Sequence, residues 1–250
     1  QLESRFDITI IKRQGNQIFF TPEGELLVQY AKKTLRDLQH LKDVLSGFKG
    51  TLRVGVASIF ALKKLPKLLN KFTNTYPDIK THLNTNFSEQ IFNLLVSGHI
   101  HLAIVRGQYE WPDFKYLIRQ ENLCVISKNP IDITQLPELP SIQVNYPASK
   151  NFSKELDNWW FERFNKPKQY NMEVNDFHTA IALVKKGLGY TIVPEIFLSK
   201  KDELFKQPLI TKHGEPVLLH TWLFCTHESK KLPIVDKFIK LIQDSPKELL

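Results

Sequence analysis

Cysteine is scarce in this sequence: Cys124 and Cys225 are the only two thiols among 250 residues. Neither belongs to a CxxC or Cys/His spacing, so a disulfide framework is not expected and the thiols fit a reducing compartment. The longest apolar runs are too short and too interrupted for a membrane span. The N-terminus shows neither a secretory cleavage pattern nor an initiator Met. We therefore expect a cytoplasmic protein with no membrane partner and with further residues before Gln1.

Recognisable catalytic patterns are also lacking. Gly187-Leu188-Gly189 lacks the third glycine of a dinucleotide-binding loop and follows a helical pattern instead of a strand. Trp111-Pro112-Asp113 matches an acid loop of tyrosine phosphatases, but neither cysteine is followed by the arginine that would bind phosphate. His99 and His101 could share a strand face and hold a metal, although such a pair without a carboxylate or thiolate more often faces solvent. We expect a binding cleft, with no enzyme activity, metal or cofactor.

Positive charge is in moderate excess. The chain has 34 Lys and Arg against 26 Asp and Glu, which gives a formal net charge of +8 and a pI near 9.3. This balance favours an anionic partner. Acidic residues are interleaved almost everywhere and no long basic block exists, so charge alone does not establish nucleic-acid binding.

The N-terminal stretch predicts a hairpin followed by a long helix. Short apolar segments at 10–11 and 18–20 flank the turn Gln14-Gly15-Asn16. Thr21-Pro22-Glu23 predicts a helix start, because Thr can cap free N–H groups and Glu complements the helix dipole. No breaker follows until Ser46-Gly47. An apolar seam repeats at alternating spacings of four and three: Leu27, Ala31, Thr34, Leu38, Leu41, Leu45 and Phe48. This heptad seam favours a dimerisation helix; the alternative is an amphipathic helix that lies on its own domain.

Beyond Gly50 strands and helices alternate. "TLRVGVAS", "DIKTHLNTNF" and "HLAIVRG" are predicted strands, and "IFALKKLPKLLNKFTNTYP" and "SEQIFNLLVSGHI" are the helices between them. The β-α-β-α-β order predicts a parallel sheet covered by helices. A second α/β unit follows, with strands in "ENLCVISKNP", "SIQVNYP", "QYNMEVND" and "LGYTIVP" and helices in "SKELDNWWFERFN" and "FHTAIALVKKG". "LHTWLFCTHES" returns as a strand and "KLPIVDKFIKLIQDS" closes as a helix.

Polar residues follow several of these strands. Ser58 and Ser88 begin helices, Arg106 ends the "LAIVR" strand, and residues 175–178 link a strand to a helix. Open parallel sheets bind ligands at such carboxyl ends. Each residue alone is more often a cap or a surface polar group, and Arg106 could equally form a salt bridge to a nearby acid. No acid is evident among the cleft residues, so Arg106 is expected to meet a carboxylate ligand.

The stretch "QLESRFDITIIKRQGNQIFFTPEGELLVQYAKKTL" resembles the LysR-type transcriptional regulators. Leu2-Glu3 is similar to the end of the family's recognition helix, Arg13 to the wing arginine, and 21–25 to the start of the linker helix, with Glu23 in place of the usual Ala. "LRVGVAS", "VSGHIHLAIVRG" and "VKKGLGYTIVP" resemble the effector domain. "GQYEWPD", "NWWFERF" and "GLGYTIVP" resemble the catabolite-control branch, whose members sense citrate and control citric-acid-cycle genes.

The resemblance implies an α/β effector domain of two lobes, similar to type 2 periplasmic binding proteins, after the wing and linker helix of a winged helix-turn-helix domain. The implied domains are the wing at 1–20, the linker helix at 21–48 and the effector domain at 51–250. We expect the first lobe at about 51–121 and 226–250, and the second at about 122–225. Helices near 62–72 and 177–186 would pair between protomers of a dimer or tetramer. Most family members have Asp where this chain has His101, so the contacts of that acid are not assumed.

Residue roles follow from the resemblance for the DNA contacts, from the heptad spacing for dimerisation, and from the strand ends for the effector. The implied contacts to the DNA backbone are Lys12, Arg13, Gln14 and Asn16, and the base-reading residues are expected to precede Gln1. The dimerisation residues are Leu27, Leu38, Leu41 and Leu45. The candidate effector-binding residues are Ser58, Ile59, Ser88, Arg106, Tyr146, Asn175, Phe177 and His178. A small carboxylate, citrate before others, is the expected effector. The alternative is a solute-binding protein or small enzyme on the same two lobes, which has no use for a basic wing and a coiled-coil helix.

We expect this chain to bind DNA weakly, with little sequence preference and a steep salt dependence, because phosphate contacts position a protein whereas base contacts specify its site. Titration of an operator-like duplex and a random duplex of equal length at several salt concentrations measures this. Tight binding that separates the two duplexes would contradict it.

Overall fold

The computed structural model describes residues 1–15, 17–45, 50–145, 150–199 and 201–246. Three residues singled out in the sequence, Asn16, Phe48 and Tyr146, lie outside these ranges. Within the described ranges, no helix is long and apolar enough to cross a bilayer.

A short helix and a hairpin form the N-terminal unit: α1 (Leu2–Phe6), β1 (Ile11–Gln14) and β2 (Gln17–Phe20). The two strands pair antiparallel, so the predicted hairpin is confirmed. The Glu3 carboxylate accepts hydrogen bonds from the N–H groups of Ile10 and Ile11, at 2.7 and 3.2 Å, and these bonds lower the pKa of Glu3. Glu3 thereby fixes α1 to the hairpin.

The long helix α2 (Pro22–Leu45) begins where the sequence predicts. The Thr21 hydroxyl accepts a hydrogen bond from the Gly24 N–H at 3.0 Å and donates one to the carbonyl of Thr9. Gly24 is required here, because a Cβ on it would lie 2.2 Å from the Ile10 carbonyl oxygen. In this chain Leu38, Leu41 and Leu45 are 48, 51 and 75% exposed, so this part of the seam does not pack on the chain's own domain.

The predicted β-α-β-α-β order is confirmed in the first lobe. Its central strand β3 (Thr51–Ala57) pairs in parallel with β4 (Lys80–Asn86) and β5 (Leu102–Arg106). The crossover helices are α3 (Ser58–Lys63), α4 (Leu65–Thr75) and α5 (Ser88–Val96). The single helix expected before Tyr76 is wrong. It divides at Lys64, because Pro66 lacks the N–H that would continue the helix and is tolerated in the first turn of α4.

Two long antiparallel strands connect the lobes. They are β6 (Phe114–Ser127), of which the sequence indicated only the second half, and β11 (Leu218–Cys225). The sheet order is β10-β6-β11-β5-β3-β4, with β9 also paired to β6. Here β9 is Thr191–Pro194 and β10 is Phe205–Pro208.

The second lobe surrounds a small parallel pair, β7 (Ile142–Val144) and β8 (Met172–Val174). Its helices are α6 (Lys150–Phe164) and α7 (Phe177–Lys185), with 3-10 turns at Ile133–Glu138 and Glu195–Phe197. The chain then returns to the first lobe and ends in α8 (His227–Lys230) and α9 (Pro233–Gln243).

The hydrophobic core forms two main clusters, one in each lobe, and the boundary between them falls within the connecting strands. On β11, Leu219 packs in the second-lobe core, whereas Leu223 and Cys225 pack in the first-lobe core. The predicted second lobe, 122–225, therefore extends too far, because the end of β11 pairs with β5. Ile59 on α3 packs in the second-lobe core, so a helix of the first lobe also contacts the second.

We expect self-association through α2, because the seam leucines would otherwise leave an exposed apolar stripe. The double variant Leu38→Lys, Leu41→Lys should lower the oligomer size measured by sedimentation. Leu26→Lys with Gln29→Lys, two exposed residues off the seam, is the matched control and should leave the mass unchanged. An unchanged mass in the seam variant would place the association in the effector domain alone.

Candidate functional site

The carboxyl ends of β3 and β5 lie beside the second lobe. Ser88 was expected to cap α5, and this expectation is wrong: Phe87 is the N-cap and makes no side-chain capping bond. The Ser88 hydroxyl instead accepts a hydrogen bond from the Arg106 N–H at 3.0 Å, which fixes the start of α5 to the end of β5. Ser58, the first residue of α3, is exposed and likewise follows a non-capping residue, Ala57.

Arg106 forms an ion pair with Glu121 of β6. The Glu121 side chain is fully buried and that of Arg106 is 9% exposed. The second carboxylate oxygen of Glu121 accepts a hydrogen bond from the Ile196 N–H at 3.0 Å and lies 3.7 Å from the Arg119 Nε. The expectation that no acid stands in the cleft is therefore wrong. Glu121 joins the first lobe to the 3-10 turn of the second.

An irregularity in β6 brings these side chains together. Thr221 of β11 pairs with Arg106 on one side and with Arg119 on the other, but the β6 register slips between Thr221 and Trp222. This slip leaves Ile118 as an extra residue, and such a bulge changes which face the following side chains occupy. Arg119 and Glu121 consequently share the face of Arg106 and Thr221. The sequence carried no local signal for this non-local register.

The cluster carries an excess of positive charge. Burial lowers the pKa of Lys64, and the positive charges of Arg119 and Lys67 lower it further, so Lys64 lies within electrostatic range of Arg119. On the other side, Glu195 pairs with Lys206, and that hydrogen bond lowers the pKa of Glu195. The cations of the cluster are thus Lys64, Arg106, Arg119 and Lys206, against the two acids Glu121 and Glu195.

The Nε of Arg106 and the hydroxyl oxygen of Thr221 are buried and have no hydrogen-bond partner among the described residues. Thr221 has 0% exposure. Both belong to cross-strand neighbours on one face of the sheet. Buried donors are nearly always satisfied by protein or water, so each of these two groups can take a further hydrogen-bond partner.

The second lobe supplies aromatic surface. The Phe177 and Phe197 rings lie 4.4 Å apart, and His178 is 5.5 Å from Phe197. The Arg106 guanidinium lies 5.8 Å from the centre of the Phe197 ring. Three predicted residues, Arg106, Phe177 and His178, therefore contact Phe197, a residue that the sequence analysis missed. The predicted Ile59 belongs to the same core cluster as Phe197. An aromatic three residues beyond the end of a strand gives no distinctive signal.

Other predicted residues lie elsewhere. Asn175 is exposed beside the start of α7, where Asp176 caps the helix by accepting a hydrogen bond from the Thr179 N–H. Lys12, Arg13 and Gln14 are exposed on the hairpin.

The two histidines weighed as metal ligands have other contacts. The His101 Nδ1 accepts a hydrogen bond from the Arg53 N–H at 3.1 Å, and this bond ties β3 to the approach of β5. His99 bonds the Ser97 hydroxyl at 2.7 Å. In the part of the chain that the structure describes, no group of three His, Cys, Asp or Glu residues could hold a metal ion.

Comparison with known proteins assigns the fold to a family. A family model described as the LysR substrate binding domain matches residues 46–247. The HTH-type transcriptional regulator YraN of Bacillus subtilis is 36% identical, over 97% of this chain and 85% of its own length. The solved structure of the LysR family regulator CbnR has a TM-score of 0.58 at 19% identity, over 96% of this chain and 86% of CbnR. The BenM effector binding domain with its effector benzoate has a TM-score of 0.62 at 18% identity, over 77% of this chain and 90% of that domain.

Both thiols should be unreactive in the native protein, because Cys124 and Cys225 are buried and burial raises their pKa values to about 11 and about 12. The thiolate is the reactive form. A disulfide reagent at pH 8 should titrate neither thiol in buffer and both in denaturant. Rapid reaction of either thiol in buffer would show that its strand opens readily.

Proposed function

We propose, from the premise that this chain belongs to the LysR family of transcriptional regulators, that it senses a small organic acid between its two lobes. The observation that carries the proposal is the cluster at the end of β5, in which the Arg106–Glu121 pair is buried and the cluster as a whole has four cations against two acids. A site with excess positive charge and low exposure attracts an anion, since its charge-assisted hydrogen bonds are strong away from water. Relatives named as transcriptional regulators favour this function over transport or catalysis.

An organic acid fits the surfaces around Arg106 better than an inorganic anion does. Phe177 and Phe197 are buried in the second-lobe core, and Phe197 borders the Arg106 guanidinium, so a carbon skeleton that reaches Arg106 would meet apolar groups. BenM is a structural neighbour of this chain, and its effector, benzoate, is an organic acid.

Citrate is the leading candidate. Its three carboxylates match the three cations Lys64, Arg106 and Arg119 on the first-lobe side of the cluster. The local likeness of "GQYEWPD", "NWWFERF" and "GLGYTIVP" to the catabolite-control branch supports the same acid and points to genes of central carbon metabolism. Other di- and tricarboxylates are the alternatives. A cytoplasmic location goes with this role, because the regulated DNA lies there.

The DNA contacts are proposed for the hairpin. Lys12, Arg13 and Gln14 are exposed on β1, so they can reach the sugar-phosphate backbone. The proposed oligomer joins protomers through the exposed seam of α2 and through helices near 62–72 and 177–186.

The signal would be a population shift between lobe angles. An effector that contacts Arg106 on one lobe and Phe197 on the other binds one lobe arrangement more tightly, and it raises the population of that arrangement. Paired protomers would pass the change to the spacing of the DNA-binding heads.

We expect Arg106→Ala to weaken citrate binding by on the order of 1.5–3 kcal/mol, or ten- to hundredfold, because one charge-assisted contact is lost. Calorimetry measures this. The melting temperature should also fall, since Glu121 would remain buried with one cation fewer, so titrations are run well below it. Arg5→Ala, an exposed arginine on α1, is the control and should bind as the parent does. Equal binding by Arg106→Ala and the parent, or no binding of di- and tricarboxylates by the parent, would refute the proposal.

A further inference from the structure

The Glu121 carboxylate holds the position that an acidic ligand of Arg106 would need. One of its oxygens bonds the Arg106 guanidinium, and the other accepts from the Ile196 N–H. Its side chain has no exposed surface. A ligand carboxylate therefore cannot form a direct pair with this face of Arg106 until Glu121 moves.

Two hydrogen-bond donors beside Glu121 have no acceptor among the described residues. The Arg106 Nε and the Thr221 hydroxyl are both buried without a partner, and both lie on the face of the sheet that carries Glu121. Glu121 alone does not satisfy this set of donors. A ligand carboxylate has two oxygens and about four acceptor directions, so it can serve the donors that Glu121 leaves.

We propose that Glu121 is a built-in competitor of the effector: a ligand carboxylate replaces it on Arg106 and accepts a hydrogen bond from the Thr221 hydroxyl. This inference rests on the proposed function and adds how the same site is regulated. Displaced from Arg106, Glu121 keeps Arg119 and the Ile196 N–H within reach. Each binding event thus changes one of the contacts that join β5, β6 and the 3-10 turn.

Competition between Glu121 and a ligand carboxylate for Arg106 also determines which acids the site prefers. When a monocarboxylate displaces Glu121, one carboxylate replaces another on Arg106, and little free energy is gained. A second ligand carboxylate adds an attraction to the nearby cations Lys64 and Arg119, which a monocarboxylate lacks. The cleft consequently discriminates against acetate without any steric barrier.

The test is calorimetric titration of citrate and of acetate into the parent and into Glu121→Gln, which keeps the shape of the side chain and removes the competing charge. We expect Glu121→Gln to bind citrate about ten- to hundredfold more tightly and to bind acetate measurably. Its melting temperature without ligand should be lower than that of the parent, and the rise on adding citrate should be larger. Glu121→Asp, which withdraws the carboxylate from Arg106 by one methylene, should change affinity in the same direction and serves if the Gln variant does not fold.

Two further variants separate this mechanism from a general loss of negative charge. Glu195→Gln removes the other acid of the cluster, which pairs with Lys206 instead of Arg106, and should not give measurable acetate binding. Thr221→Val should weaken citrate binding roughly tenfold, whereas Thr221→Ser retains the hydroxyl and should bind as the parent does.

The outcomes distinguish the two proposals. One outcome is that the parent binds citrate through Arg106 while Glu121→Gln and Glu121→Asp bind it no more tightly than the parent does. In that case Glu121 only stabilises the fold, and the competitor mechanism is wrong. If neither the parent nor the variants bind citrate or acetate, the acid-sensing function itself fails, and the competitor mechanism fails with it.

Discussion

Burial of the Glu121 carboxylate is the constraint on which the arrangement of the two lobes depends. A fully buried charge is tolerated only where cations and N–H groups surround it, and removal of one partner of such a pair typically costs about 3–5 kcal/mol. Glu121 meets this condition with groups from three places: Arg106 at the end of β5, Arg119 on β6, and the Ile196 N–H after β9. The ends of these elements must therefore meet at one point.

Local signals in the sequence predicted the elements well. The hairpin, the Thr21 helix start and the parallel strands of the first lobe all rest on short-range chemistry, such as turn residues, a capping hydroxyl and alternating apolar positions. The division of the first crossover helix at Lys64 was missed although Pro66 signalled it. The error arose because the apolar periodicity was given more weight than the missing N–H of Pro66.

The candidate site was predicted less completely, because its geometry depends on register between distant strands. Arg106 was identified from its place after an apolar strand, but Glu121 was only the first residue of a predicted strand. The two meet because β11 lies between β5 and β6, and because the irregularity near Ile118 turns Glu121 to the same face. Thr221 and Phe197 join the site for the same non-local reason, so no spacing in the sequence could have indicated them.

In the proposed mechanism, the position of the cluster on β6 would give a ligand a direct route to the lobe angle. β6 runs from the first-lobe core at Ile118 to the second-lobe core at Leu123, so Arg119 and Glu121 lie in the segment that crosses between lobes. A group that pulls on Glu121 acts on this connecting strand itself and on the Ile196 turn, without a relay of intermediate contacts. Ile59 adds a second constraint, because α3 must keep or lose its place in the second-lobe core when the angle changes. In the proposed mechanism, these two contacts would be the elements that differ between the two lobe arrangements.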